Sequence, residues 1–313
     1  MKGLELAERY YRTFGEKMIR EGFQEYEGSI AVGLTGSGSE CYGYDDEVSR
    51  DHDFEPGFCL FLPGEEIVDR RTAFLLERAY AKLPREFEGT CRQRIGPAGG
   101  QRHGVFRIDD YFRLRLGCLP QEMTLQSWLT VPYHALAEAV NGKIFRDDAG
   151  RMTAERETLR RMPEDCRKKR LAGHLLLMGQ SGQYNYLRCL KHGETGAAQL
   201  AAGEFSEHAS AAFFLLRGAY RPFYKWCFRA MRELPGGEDL AVSQEWLLST
   251  GNDEKLAEEK AFCMEGIASM FIESLQEQDL TKAVCMDLEK HAYSVNDRIG
   301  DSTVRNMNIL CCV

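Results

Sequence analysis

Residues 33–39 read Gly33-Leu34-Thr35-Gly36-Ser37-Gly38-Ser39, and after a gap the chain runs Ser49-Arg50-Asp51-His52-Asp53-Phe54. A strand that ends in small residues leaves backbone N–H groups open to approach, which suits a phosphate. The glycines do not form a Walker A loop, because no Lys-Ser/Thr follows. They do not form a dinucleotide fingerprint either, because Gly36-x-Gly38 leads to Cys41 where the third glycine belongs. The acids make the pattern more specific. On a strand, residues two apart point to one face, so Asp51 and Asp53 converge while His52 points away. Two carboxylates so placed repel each other unless a hard divalent cation lies between them. Mg²⁺ takes one or two carboxylates together with substrate phosphates, so this pair beside a Gly/Ser turn predicts a metal–nucleotide site. A calcium loop is excluded. Pro56 stands where that loop needs its glycine, and Leu62 where it needs its bidentate Glu. The competing reading is structural, with the two Asp side chains capping a turn.

Those residues need strands to hold them, and the surrounding pattern supplies them. Ser29 to Leu34 is a short apolar run ending at the small-residue turn, and Phe58-Cys59-Leu60-Phe61-Leu62 is a second buried run after the acids. Residues 104–108 and 142–145 read as further strands. Residues 4–23 and 65–82 read as helices, the first with Leu4, Ala7, Tyr11, Phe14, Met18 and Ile19 on one side. Beyond about residue 152 the strand signals stop. Helical periods follow over 153–161, 164–191, 195–217, 221–233 and 253–278, punctuated by Pro163, Gly193, Pro222 and Pro235-Gly236-Gly237. The expected architecture is α+β: a mixed-sheet domain over residues 1–152, then an all-α helical bundle over 153–313.

With 43% hydrophobic and 28% charged residues the chain is that of a folded protein of about two domains. Its 48 acids against 40 bases give a net charge of −8, which argues against a general polyanion binder. The basic stretch from Arg156 to Arg170 is interleaved with Glu155, Glu157, Glu164 and Asp165 and reads as solvated helix faces. Eleven cysteines contain no C-x-x-C pair, and thiols in core-like runs such as Phe58-Cys59-Leu60 point to a reducing cytoplasm. Leu310 occupies the position where a prenylation signal needs its Cys. The N-terminal residues carry acids where a signal peptide would be apolar, and no 18-residue apolar run is present. A cytoplasmic protein without a membrane partner is the expectation. None of the seven histidines falls at H-x-x-x-H spacing, and His52 reads as a packing residue.

A Gly-Ser turn ending a strand, followed at a distance by Asp-x-Asp, resembles the DNA polymerase beta-like nucleotidyltransferase superfamily. Here thirteen residues separate Gly36-Ser37 from Asp51. More specifically, the chain resembles a family of uncharacterised bacterial nucleotidyltransferase-like proteins. The matching segments are Gly36-Ser37-Gly38-Ser39, Asp46 through Asp53, Gln183-Tyr184-Asn185 with Arg188, and Tyr220-x-Pro222-x-x-Lys225-Trp226. The layout is also similar to that of aminoglycoside nucleotidyltransferases of the kanamycin and streptomycin type.

The resemblance implies that the turn Gly36-Ser37-Gly38-Ser39 holds the phosphates of ATP or another nucleoside triphosphate. It implies that Asp51 and Asp53 bind Mg²⁺ or Mn²⁺, and that a substrate hydroxyl attacks the α-phosphorus as pyrophosphate leaves. A bound cation would let an acidic protein handle a triphosphate. The superfamily usually has a third carboxylate on a later strand. Asp109 is the candidate, with Asp110 beside it, although a helix N-cap is an equal reading. Asp147 and Asp148 read first as a turn. In the helical domain Lys225 could reach the triphosphate or lie along the surface with its stem packed. Tyr220 could stack on a base, and Trp226 reads as core. Asn185 and Arg188 share a helix face and could line a cleft or pack two helices. A small-molecule acceptor is expected, with nucleic acid only as an acceptor. Two alternatives stay open: a nucleotide-binding regulatory protein without turnover, and a transferase acting on protein or tRNA.

Overall fold

The amphipathic period at the N-terminus folds as α1 (Gly3–Tyr10) and α2 (Glu16–Gly22), joined by a π-helical turn over Tyr11–Gly15. The irregularity falls where a glycine lets another element close in. A Cβ on Gly15 would stand 2.6 Å from the buried Phe58 ring.

The computed structural model describes residues 1–48, 54–92 and 102–313. After α2 come β1 (Ala31–Leu34), α3 (Ser39–Tyr42), β2 (Cys59–Leu62) and α4 (Arg70–Ala81). A short hairpin of β3 (Glu86–Phe87) and β4 (Thr90–Cys91) precedes β5 (Gly104–Arg107) and α5 (Ile108–Leu116). Next are α6 (Leu125–Thr130), α7 (Tyr133–Val140), β6 (Lys143–Arg146) and α8 (Arg151–Leu159).

These strands form a small mixed sheet in the order β5-β2-β1-β6. β1 and β2 are buried at every position, which is why they are continuous apolar runs with no polar alternation. β2 runs antiparallel to β1, with Ala31 opposite Phe61 and Gly33 opposite Cys59. β5 runs parallel to β2, with Cys59 opposite Gly104, and β6 runs antiparallel to β1, with Leu34 opposite Lys143. One consequence matters for function. The C-terminal end of β1 shares one end of the sheet with the N-terminal ends of β2, β5 and β6.

The chain divides into two units, Met1–Met123 with Ala135–Arg161, and Thr124–His134 with Met162–Val313. The sequence places the division at residue 152, which falls inside α8. Residues 124–134 go with the second unit for a physical reason. The Arg170 guanidinium donates to the carbonyls of Trp128 and Val131, at 3.1 and 2.9 Å, and ties off the end of α6.

The second unit has helices and no strand among the described residues. It contains α9 (Glu164–Met178), a π-helical turn over Gly179–Asn185, α10 (Tyr186–Lys191) and α11 (Thr195–Leu216). Then follow α12 (Tyr224–Arg232), α13 (Gly237–Ser249), α14 (Glu254–Glu277), α15 (Leu288–Asp297) and α16 (Ser302–Asn306). α11 is apolar on nearly every face and lies at the centre, packed on α9, α10 and α13. Asp253, Asp287 and Asp301 each accept a backbone N–H and start α14, α15 and α16. The α+β class is as expected, a small mixed sheet with helices followed by helices alone. α13, α15 and α16 have no counterpart in the periods read from the sequence. The expected single helix over 164–191 carries a π-helical turn at Gly179–Asn185. Among the described residues no helix is long and apolar enough to cross a membrane.

Candidate functional site

β1 leaves the sheet through Thr35 and Gly36, and both are held by the loop that leads into β6. The Asn141 amide accepts from the Gly36 N–H at 3.0 Å and donates to the Gly36 carbonyl at 2.7 Å, a two-point clamp on one residue. Thr35 Oγ1 meets the Tyr111 hydroxyl at 2.8 Å and donates to the Glu138 carbonyl at 2.9 Å. Gly36 has φ +132°, a conformation that side-chain-bearing residues rarely adopt. Space is short as well, because a Cβ there would lie 3.2 Å from an Arg115 guanidinium nitrogen.

Arg115 brings a fixed positive charge to this turn. α5 begins at the far end of the sheet and runs back, so its last turn reaches Gly36. The guanidinium stacks on the Tyr111 ring, 3.8 Å from its centroid, and donates to the Tyr111 carbonyl at 3.2 Å. Its Nε is buried and has no partner among the described residues. Burial pushes the Tyr111 hydroxyl up to about 12 and the Cys59 thiol to about 12, with Arg115 pulling both down. Both therefore stay neutral, so neither supplies a thiolate or phenolate base.

The turn also carries acid. Glu40 is buried and folds back over Gly38, so that a Cβ on Gly38 would lie 2.0 Å from its carboxylate. At the same end of the sheet Glu55 Oε1 lies 3.2 Å from His103 Nδ1, joining the residues that lead into β2 and β5. Ser37 is the exposed residue of the turn, Gly36 and Gly38 are buried, and Ser39 opens the one-turn helix α3.

The remaining predicted residues fall elsewhere. Asp51 and Asp53, with His52, lie outside the described residues. Asp109 is not brought to the turn. β5 runs parallel to β2, so Asp109 stands beyond the opposite end of the sheet, in the first turn of α5 and paired with Arg151. An acid there suits the positive end of the helix. Asp110 is in the same turn and exposed. Asp147 and Asp148 follow the far end of β6; Asp147 accepts from the Thr153 N–H at 2.7 Å, and Asp148 pairs with Arg146. Among the described residues no group of three His, Cys, Asp or Glu side chains could hold a metal ion.

In the helical unit Lys225 is exposed in the first turn of α12 with its ammonium 5.0 Å from the Trp226 ring centroid. Arg188 donates to the Tyr184 hydroxyl at 2.7 Å, and Asn185 closes the π-helical turn. Sequence reasoning missed Glu40, Arg115 and Asn141. Asn141-Gly142 carries a turn signal, but nothing in its spacing says that the amide will clamp Gly36. Glu40 and Arg115 read as ordinary helical charges.

Residues 128–227 match the family described as Domain of unknown function (DUF4037). None of the curated proteins matches the chain. Among solved structures the chain is similar to a nucleotidyltransferase-like protein from Exiguobacterium sibiricum. The two share 14% identity over 92% of this chain and 81% of that one, with a TM-score of 0.39.

Proposed function

We propose that the protein is a metal-dependent nucleotidyltransferase that moves NMP from ATP or another triphosphate to a hydroxyl of a small molecule. The observation that carries this reading is the Gly36 turn. A left-handed glycine is clamped by Asn141 with a guanidinium against it, at the sheet end where the chain enters β2. In this reading Gly36 shapes the turn, the backbone of Ser37, Gly38 and Ser39 and the Ser37 hydroxyl receive the β/γ-phosphates, and Arg115 adds charge that a phosphate can use. Asp51 and Asp53, as hard oxygen donors, would hold Mg²⁺ or Mn²⁺. When bound, the ion supplies charge neutralisation at the phosphoryl oxygens. The acceptor oxygen bonds to the α-phosphorus, the bond from that phosphorus to the bridging oxygen breaks, pyrophosphate leaves and the hydroxyl proton is released.

Asp109 has no part in this reading, because it stands at the other end of the sheet. Glu40 is a carboxylate that the fold does bring to the turn, and it takes the place proposed for the third acid. The test is incubation of the purified chain with Mg²⁺, each α-labelled NTP and a metabolite or lysate pool. Label should pass to a small molecule with release of pyrophosphate, and Asp51→Asn with Asp53→Asn should cut transfer by about 10²-fold or more. NTP binding without pyrophosphate release would instead support the nucleotide-binding regulator. Label on protein or tRNA would support the macromolecular transferase. Absence of both binding and transfer would overturn the reading.

A further inference from the structure

The helical unit contains a cavity of about 560 Å³ that the nucleotide reading does not use. Its walls come from α9, α11, the start of α12 and the 129–134 segment. Arg170 and Arg221 both line it. Arg170 is 5% exposed, stacks 3.6 Å from the Tyr133 ring centroid and spends one nitrogen on two carbonyls. Arg221 is engaged with Glu207, through the side chain and at 3.1 Å through the carbonyl. In each guanidinium the Nε is buried with no partner among the described residues. Two guanidinium groups line one cavity and can pair with an acceptor there.

The other titratable groups facing the cavity leave that charge uncancelled. His174 Nε2 meets the Tyr133 hydroxyl at 2.8 Å, and its Nδ1 meets His208 Nδ1 at 2.9 Å. Burial pushes His174 well below its ordinary value and His208 down to about 4, so both imidazoles are neutral. Burial pushes the Cys312 thiol up to about 12, so it keeps its proton. Glu207 offsets one of the two guanidinium groups. At the mouth Phe223 and Tyr224 are 42% and 71% exposed, with ring centroids 4.6 Å apart, and His134 sits edge-on to Phe223 at 5.6 Å. Neighbouring aromatic rings held open to solvent beside a cationic wall suit a ligand with a flat face and a negative end.

We infer that this cavity binds a small planar aromatic oxyanion, a ring that carries a carboxylate or phosphate. The oxyanion pairs with the guanidinium groups of Arg170 and Arg221, and the ring lies on Phe223 and Tyr224. A volume of this size holds one ring with its charged substituent and falls in the range of small-molecule sites. The site is independent of the Gly36 turn, so it stands or falls apart from the transferase reading.

Calorimetric titration of the full-length chain with benzoate, phenyl phosphate and neutral benzamide tests this. At least one of the anions should bind with one-site stoichiometry, and benzamide should bind at least about tenfold more weakly. The stronger anion tells which oxyanion the arginines fit. Arg221→Gln should abolish the heat, and Tyr224→Ala should weaken binding about tenfold. Tyr224 is exposed, so its variant should keep the fold, as circular dichroism would show, and it carries the test if Arg221→Gln does not fold. Equal binding of benzamide, no heat with either anion at millimolar concentration, or Tyr224→Ala binding as the parent would overturn the inference.

Discussion

In the sheet unit, Thr35, Asn141 and Arg115 gather at one end of four short strands and hold a single turn in shape. In the helical unit, Lys169 and Lys260 are fully buried, and each is surrounded by oxygens from separate parts of the chain. Lys169 Nζ donates to Asn296 Oδ1 at 2.9 Å and to the carbonyls of Arg305 and Met307. Lys260 Nζ donates to Gln199 Oε1, Asn252 Oδ1 and the Thr250 carbonyl at 2.8, 2.9 and 3.1 Å. Burial lowers both lysines from their ordinary value, yet their donors are occupied. The difference separates two uses of polarity. Interior lysines tie helix ends together, whereas the sheet-end groups fix the shape of a turn whose Ser37 stays exposed next to a charge. Function is sought at the second kind of place, because a saturated donor has nothing left for a ligand.

The comparison breaks most visibly at Lys260. Lys260→Ala takes one donor each from Gln199 Oε1, Asn252 Oδ1 and the Thr250 carbonyl. The first two keep Asn252 Nδ2 and the Tyr186 hydroxyl as donors, so unfolding in urea should show a loss of about 1–3 kcal/mol. A loss below about 1 kcal/mol would mean that the helix ends are held by other contacts. Gly36→Ala comes next. It forces a side chain into a conformation that costs about 1–3 kcal/mol and pushes toward Arg115. NTP binding should vanish while the helical unit keeps its circular dichroism; retained binding would remove the turn from the proposed site.

The His174–His208 pair should impose a milder pH dependence. In the folded chain His208 titrates at about 4, against about 6.5 when unfolded. Between those values the unfolded chain takes up a proton that the folded one refuses. Stability is therefore complete above about 6.5 and is lost as pH falls toward about 4. His208→Gln should flatten that slope in denaturant midpoints measured across the range, and an unchanged slope would point to other groups. Asp109→Asn should do least. Its pair with Arg151 is about a third exposed on each side, so stability should move by no more than about 0.5 kcal/mol. Transfer activity should stay unchanged, and a large activity loss would restore Asp109 to the site.

The first sheet strands were legible because burial on both faces removes alternation, and Ala31–Leu34 and Cys59–Leu62 show it as plain apolar runs. The long helices were legible from their period, yet α13 was hidden by Pro235-Gly236-Gly237, since its first residue is Gly237 itself. The Gly-Ser turn was visible as composition. Its partners were not. Asn141 lies about a hundred residues away and meets Gly36 only because β6 pairs with β1. Asp109 looked near the acids in strand order, but the parallel run of β5 carries it to the wrong end of the sheet.

Residue types and short spacing alone showed a Gly/Ser turn after an apolar run and the sequence Asp51-x-Asp53, because both are local patterns. The helical character of the second half was set the same way, by period. Strand direction, and with it which charges reach the turn, was decided only by tertiary structure, because pairing depends on contacts between residues far apart in the chain. The same holds for the arginine-lined cavity, where Arg170 and Arg221 come from α9 and the segment before α12. No local pattern records that the two side chains line one space.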